Sequence, residues 1–305
     1  MKTVHVKLML CFISAVSAVA TAEDDGMIYI IHMDKSEMPT AFSSHEQWYQ
    51  SIVSSIINGR HMEGALLYVY DKVTHGFSAK LKPSEVDALQ TMPGYISSHP
   101  YSRGKLDTTH SIKFLGLKRK SGIWPLAELG NRSDVIIGIL DTGIWPESES
   151  FKDDGMSDIP AKWKGQCQPG AGFNSSLCNR KLIGARYFNK GFLAQYGPLN
   201  TSVDYDSARD SDGHGTHVSS MAAENFVDNA DFFGYAEGTA RGVAPRARVA
   251  MYKGFWDNGN VIDADVLAAI ESAISDGVDI LSLSMTLDAP DFYKNVMAIG
   301  GFAAA

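Results

Sequence analysis

The sequence predicts two folded units in series: an α+β unit over residues 27–100, then an α/β unit built on a parallel sheet from about residue 133. Three observations predict this. Residues 27–100 alternate short apolar strands with amphipathic helices in the order β-α-β-β-α-β. Residues 134–140 (Asp-Val-Ile-Ile-Gly-Ile-Leu) form a nearly continuous apolar run, the pattern of a strand buried on both faces of a parallel sheet. Beyond that run, strands alternate with helices, as in a parallel α/β fold. A chain of 305 residues has room for two such units.

In the first unit, residues 27–32 read as a strand. Residues 44–57 read as a helix with Trp48, Ile52, Ile56 and Ile57 at helical spacing. Residues 66–70 and 76–81 read as two strands joined by a hairpin connection. Pro83 at a first-turn position opens a helix running to Leu89, and residues 94–98 close the unit as a strand. This is the order of a ferredoxin-like unit, which by itself implies no function. Residues 101–111 are polar and read as an exposed linker open to proteolysis. In the second unit, residues 134–140, 248–253 and 278–284 read as strands. Residues 263–275 read as a helix with Val266, Leu267, Ile270 and Ile274 on one face and Gly277 as its stop. The small-residue stretch 218–223 reads as a buried helix, and no internal repeat is present.

Composition limits the function classes. Hydrophobic residues make up 45% and charged residues 20%, as in a soluble globular protein. The net charge is 27 − 35 = −8, without a Lys/Arg block, which argues against nucleic acid and anionic membrane as partners. Lys2 and Lys7 precede an apolar run from Leu8 to Ala20, and Ala20-Thr21-Ala22 is a small-x-small site before Glu23-Asp24-Asp25. Residues 1–22 therefore read as a secretory signal peptide, too short in its apolar run for a membrane anchor. Cys11 leaves with it. Cys167 and Cys178 then read as a disulfide in an oxidising compartment, since no His stands near for a metal site. Asn131, Asn174 and Asn200 head sequons that accept glycans in a secreted chain.

Two stretches carry chemistry. Asp141-Thr142-Gly143 sits at the carboxyl end of the first parallel strand, where catalytic groups gather in such sheets. Asp141 either orients an imidazole or simply closes the turn before Gly143. Asp212-Gly213-His214-Gly215-Thr216-His217 places His214 between glycines at the mouth of a helix. His214 reads as a general base, or as a structural His satisfied by backbone carbonyls. His214 and His217 lack the i, i+4 spacing and intervening Glu of H-E-x-x-H, and Asp204, Asp206, Asp210 and Asp212 fit no EF-hand. No metal and no cofactor are expected.

Asp before His on an α/β scaffold is the chain order of the subtilisin triad, with Ser last. The blocks Asp141-Thr-Gly-Ile-Trp-Pro-Glu-Ser148, Asp212-Gly-His-Gly-Thr-His-Val218 and Gly238-Thr-Ala-Arg-Gly-Val-Ala-Pro245 resemble plant-type subtilisin-like serine proteases. The first unit is similar to their inhibitory propeptide, including Leu67-Tyr-Val-Tyr-Asp-Lys-Val73 and His75-Gly-Phe-Ser78. Thr108-Thr-His-Ser111 before Phe114-Leu-Gly-Leu117 is similar to the start of the mature enzyme. The resemblance implies a propeptide over 23–107 and a subtilisin-like catalytic domain, truncated, over 108–305. It implies Asp141 and His214 as triad members and His217 as a structural His. It implies Ser282, Leu283 and Ser284 as the strand edge that pairs with an extended peptide or protein substrate. It also implies cleavage between Asp107 and Thr108, with the chain's own propeptide retained as inhibitor and folding aid, and an extracellular location, the apoplast or cell wall in a plant.

The chain also departs from that family. The nucleophile's Gly-Thr-Ser-Met type motif is missing: Gly215-Thr216 precedes His217, and Gly238-Thr239 precedes Ala240. The oxyanion Asn is missing beyond Phe302-Ala-Ala-Ala305, and Thr286 stands where the family usually has Gly. These 305 residues alone are therefore expected to be inactive as a peptidase. The alternative function is an inhibitor or folding aid acting in trans on a related protease. An aspartic protease is excluded because no second Asp-Thr-Gly or Asp-Ser-Gly is present to share a proton.

Overall fold

The computed structural model describes residues 26–57, 64–106, 134–257, 259–288 and 291–304. The proposed signal peptide, the Asp107–Thr108 bond and Asn131 lie outside these residues.

The first unit has the expected order. Strands β1 (Met27–Met33), β2 (Leu66–Tyr70), β3 (Gly76–Leu81) and β4 (Tyr95–Pro100) form one antiparallel sheet in the order β2-β3-β1-β4. Helix α1 (His45–Ile56) starts at Ser44, whose hydroxyl accepts the Gln47 N–H, and α2 (Pro83–Leu89) starts at its proline. Alternation along β1 divides its side chains between two cores. Ile31 and Met33 pack with Trp48, Tyr49, Ile52 and Val53 of α1. Ile28 and Ile30, on the opposite face, pack with Leu267 and Ile270 of the second unit. The sheet is thus covered on both faces, and the larger unit supplies one cover.

Of the stretch 101–111 expected as an exposed linker, residues 107–111 lie outside the described residues, and the described part departs from that expectation. Gly104–Leu106 forms strand β5, held by backbone hydrogen bonds to a strand near residue 286. Polar composition suggests solvent exposure, but an extended segment needs only a partner edge, not apolar side chains.

The second unit contains a parallel sheet formed by β6 (Ile136–Asp141), β7 (Leu182–Tyr187), β10 (Arg248–Lys253) and β13 (Ile280–Leu283), in the order β13-β6-β10-β7. Between β7 and β10 lie α3 (Lys190–Tyr196), α4 (His214–Ala223) and a hairpin of β8 (Val227–Phe232) and β9 (Tyr235–Ala240), whose tip exposes Phe232, Phe233 and Tyr235. A short ladder of β11 (Phe255–Trp256) and β12 (Asn260–Val261) leads to α5 (Asp263–Asp276). Strand β14 (Met285–Leu287) pairs with β5, and α6 (Val296–Ala304) follows. The continuous apolar run of β6 has the predicted cause. Ile136 and Leu140 join the core containing α5, while Ile137 and Ile139 join the one containing Val218 of α4.

Cys167 and Cys178 form a disulfide across 11 residues of sequence. Replacing both with alanine is expected to lower unfolding stability by about 3 kcal/mol through the entropy returned to the unfolded chain. Urea unfolding with and without the substitutions measures this. Asn174 and Asn200 are both exposed.

Candidate active site

β6 delivers Asp141 to the sheet's carboxyl end with no exposed surface, and its Oδ1 accepts the Thr142 N–H at 2.7 Å. α4 begins at His214, and Gly213 before it has φ 97°, a left-handed turn open to glycine. A Cβ on Gly215 would stand 2.2 Å from the Gly143 carbonyl oxygen, so only glycine lets the helix approach the strand end this closely. The approach sets His214 Nδ1 2.7 Å from Asp141 Oδ1. His214 keeps 14% of its side-chain surface exposed. The structure thus brings the two residues together.

The electrostatics fit an oriented imidazole. Burial pushes the Asp141 carboxyl above the ordinary carboxylate range, and hydrogen bonds from His214 and the Thr142 N–H pull it back. Asp141 Oδ2 is buried without a hydrogen-bond partner among the described residues. With Nδ1 donating to Asp141, the imidazole tautomer places its basic lone pair on Nε2.

The other expected residues divide. His217 lies on α4 and is exposed. Ser282 and Leu283 lie in β13 and Ser284 follows it, all half-buried. The segment paired with an extended strand lies slightly later: Met285 faces Leu106, Thr286 faces Lys105 and Leu287 faces Gly104. The aspartates weighed as calcium ligands have protein partners. Lys253 Nζ donates to Asp204 at 2.5 Å, Asn189 donates to Asp206 at 2.8 Å, and Asp210 accepts from Thr142, Gly213 and Thr216. Among the described residues no three His, Cys, Asp or Glu form a metal-holding group, and no helix is long and apolar enough to cross a membrane.

Sequence reasoning does not find the contact between the units. Glu271 on α5 accepts the backbone N–H groups of Asp71, Lys72 and Val73 at 2.8, 2.5 and 2.7 Å. Tyr68 O–H donates to Asp265 at 2.6 Å, and Ser102 N–H donates to Asp263 at 2.9 Å. Burial pushes both aspartates up to about 7. The sequence signal is faint: acidic residues on a helix usually face water, and nothing local marks the turn at 71–73 as their partner. Glu271→Ala leaves three N–H groups without their acceptor, an expected cost of about 2 kcal/mol. Amide exchange at residues 71–73 of the intact chain should then accelerate about 30-fold.

A family model described as the subtilase family matches residues 132–304, and one described as peptidase inhibitor I9 matches residues 28–106. The chain is 48% identical over 298 residues to subtilisin-like protease SBT1.7 of Arabidopsis thaliana, covering 97% of this chain and 38% of that protein. It is 46% identical over 311 residues to subtilisin-like protease SBT3 of Solanum lycopersicum, covering 100% of this chain and 40% of that protein. The chain thus spans about two-fifths of the length of these relatives. Among solved structures, the epidermin leader peptide processing serine protease of Staphylococcus aureus superposes with a TM-score of 0.51 at 16% identity. That match covers 91% of this chain and 55% of the other and concerns the fold alone.

Proposed function

Because the chain belongs to the subtilase family, we propose that it carries the Asp and His of a secreted serine endopeptidase together with its inhibitory propeptide. The observation that carries this reading is the 2.7 Å contact between His214 Nδ1 and the buried Asp141 carboxylate. Asp141 holds the ring and stabilises the imidazolium. His214 Nε2 takes the proton from a serine hydroxyl as that oxygen attacks a peptide carbonyl, then returns it to the leaving amine. The serine and the oxyanion Asn are not among these residues, so this chain by itself hydrolyses nothing.

The propeptide spans 23–107 and the catalytic portion begins at Thr108. β5 ends one residue before Asp107 and occupies the edge of β14, which is how an extended peptide substrate would pair there. A substrate must displace β5, so the first unit inhibits until it leaves. The Glu271 clamp on residues 71–73 also supports a second reading, in which the first unit docks in trans on a related protease. Ser282, Leu283 and Ser284 belong to the edge that pairs with substrate, which β14 continues, and the exposed Asn174 and Asn200, with Asn131, accept glycans.

The test is hydrolysis of an unfolded protein substrate. The 305-residue chain should show no rate above background. A fusion of this chain to the C-terminal portion of the tomato relative should hydrolyse the substrate after propeptide release. No hydrolysis by a folded, processed fusion would sink the reading.

A further inference from the structure

We propose that Asp210 is the positioning residue of this site, the group that locks the Asp141 strand end to the His214 helix; this rests on the reading of Asp141 and His214 as a catalytic pair. Asp210 is buried, and its carboxylate accepts five hydrogen bonds from both sides of the pair. Oδ1 accepts the Thr142 hydroxyl at 2.9 Å, the Gly213 N–H at 2.9 Å and the Asp212 N–H at 3.2 Å. Oδ2 accepts the Thr216 N–H at 2.9 Å and the Thr216 hydroxyl at 2.5 Å.

The two threonines extend the link. Thr142 Oγ1, while donating to Asp210, accepts the Gly215 N–H at 2.8 Å. Thr216 Oγ1, while donating to Asp210, accepts the Trp145 N–H at 3.0 Å. Asp210 therefore ties residues 142 and 145 of the strand end to residues 213, 215 and 216 of the helix start. Asp141 and His214 are the neighbours of Thr142 and of Gly213 and Gly215. Their mutual distance follows from this lock.

Only a carboxylate fits the place. All five contacts need acceptors, and Asp210 supplies two acceptor oxygens. An Asn offers one oxygen and one NH2; the threonine hydroxyls can turn to accept from it, but the NH2 would still meet the Thr216 N–H in the Oδ2 place, or the Asp212 and Gly213 N–H groups in the Oδ1 place. A threonine hydroxyl at 142 is needed as well, because it donates and accepts at once.

The test uses the low-field proton resonance of a charge-assisted His–carboxylate hydrogen bond, recorded on the 305-residue chain and assigned by its loss in His214→Ala. Expected are loss of the resonance in Asp210→Asn and Thr142→Val, and its retention in Thr142→Ser, with the far-ultraviolet circular dichroism of all three unchanged. If Asp210→Asn fails to fold, the Thr142 pair decides. A resonance retained in Thr142→Val, or lost equally in Thr142→Ser, would overturn the lock. So would its absence from the unmodified chain, since there would be no bond to position. The resonance needs no serine. A chain that behaves as expected but gains no hydrolysis in the fusion would sink the peptidase reading alone.

Discussion

In an active fusion of this chain to the C-terminal portion of a relative, His214→Ala should lower kcat about 10⁶-fold and leave KM nearly unchanged. That magnitude is the loss measured in subtilisin, itself a member of this family, when the base is removed. The structure supplies the reason the loss should reach it here. His214 is held by the buried Asp141 at 2.7 Å, so the variant loses the one imidazole that this carboxylate orients. Asp141→Asn should cost less, on the order of 10⁴-fold, because the ring stays in place but takes the wrong tautomer. Steady-state kinetics on a peptide substrate separate the two. A His214→Ala variant retaining more than a hundredth of the activity would show that the proton goes elsewhere.

Acidification should weaken the first unit through His32. Its Nδ1 lies 2.9 Å from the Thr74 hydroxyl and its Nε2 lies 3.3 Å from His99 Nε2, so both nitrogens find partners while the ring is neutral. Burial, with His99 beside it, brings His32 down to about 4. Burial likewise lowers His99, which also faces Lys294 of the second unit. An unfolded chain protonates His32 near pH 6.5, whereas the folded chain resists until about pH 4. The stabilisation is therefore complete above pH 6.5 and lost as the pH falls toward 4, on the order of 3 kcal/mol. Asp263 and Asp265, pushed up to about 7, act with the opposite sign over the same range, since the folded chain binds their protons first. The comparison with His32→Gln isolates the histidine. Between pH 7 and pH 4 the unmodified chain should lose about 3 kcal/mol more than the variant in urea unfolding. A difference between the two proteins that does not change with pH would refute this.

The fold is legible in the sequence where one local pattern decides the structure. The run ending in Leu140 announces a strand buried on both faces, and β6 has both faces covered by separate cores. For Asp141 and His214, strand-end and glycine-flanked positions leave two readings each, and the resemblance, not the local pattern, singles out the pair that the structure brings together. β7 escapes notice, because Leu182-Ile-Gly-Ala-Arg-Tyr187 is short and shows no clear period. β5 escapes it because its strand character comes from its partner, not from its own residues. In sequence, Asp210 stands out only as one of several aspartates that might hold calcium, and its role depends on Thr142, 68 residues away. The Glu271 clamp spans about 200 residues of sequence and is likewise set by packing between units.

The most direct test of the central claim is covalent labelling by a serine-directed fluorophosphonate. The claim is that this chain supplies Asp141 and His214 but not the nucleophile. The 305-residue chain should take up no label. The processed fusion should take up one label per chain, and His214→Ala should abolish it. Specific labelling of the 305-residue chain, or labelling of the fusion that His214→Ala leaves untouched, would contradict it.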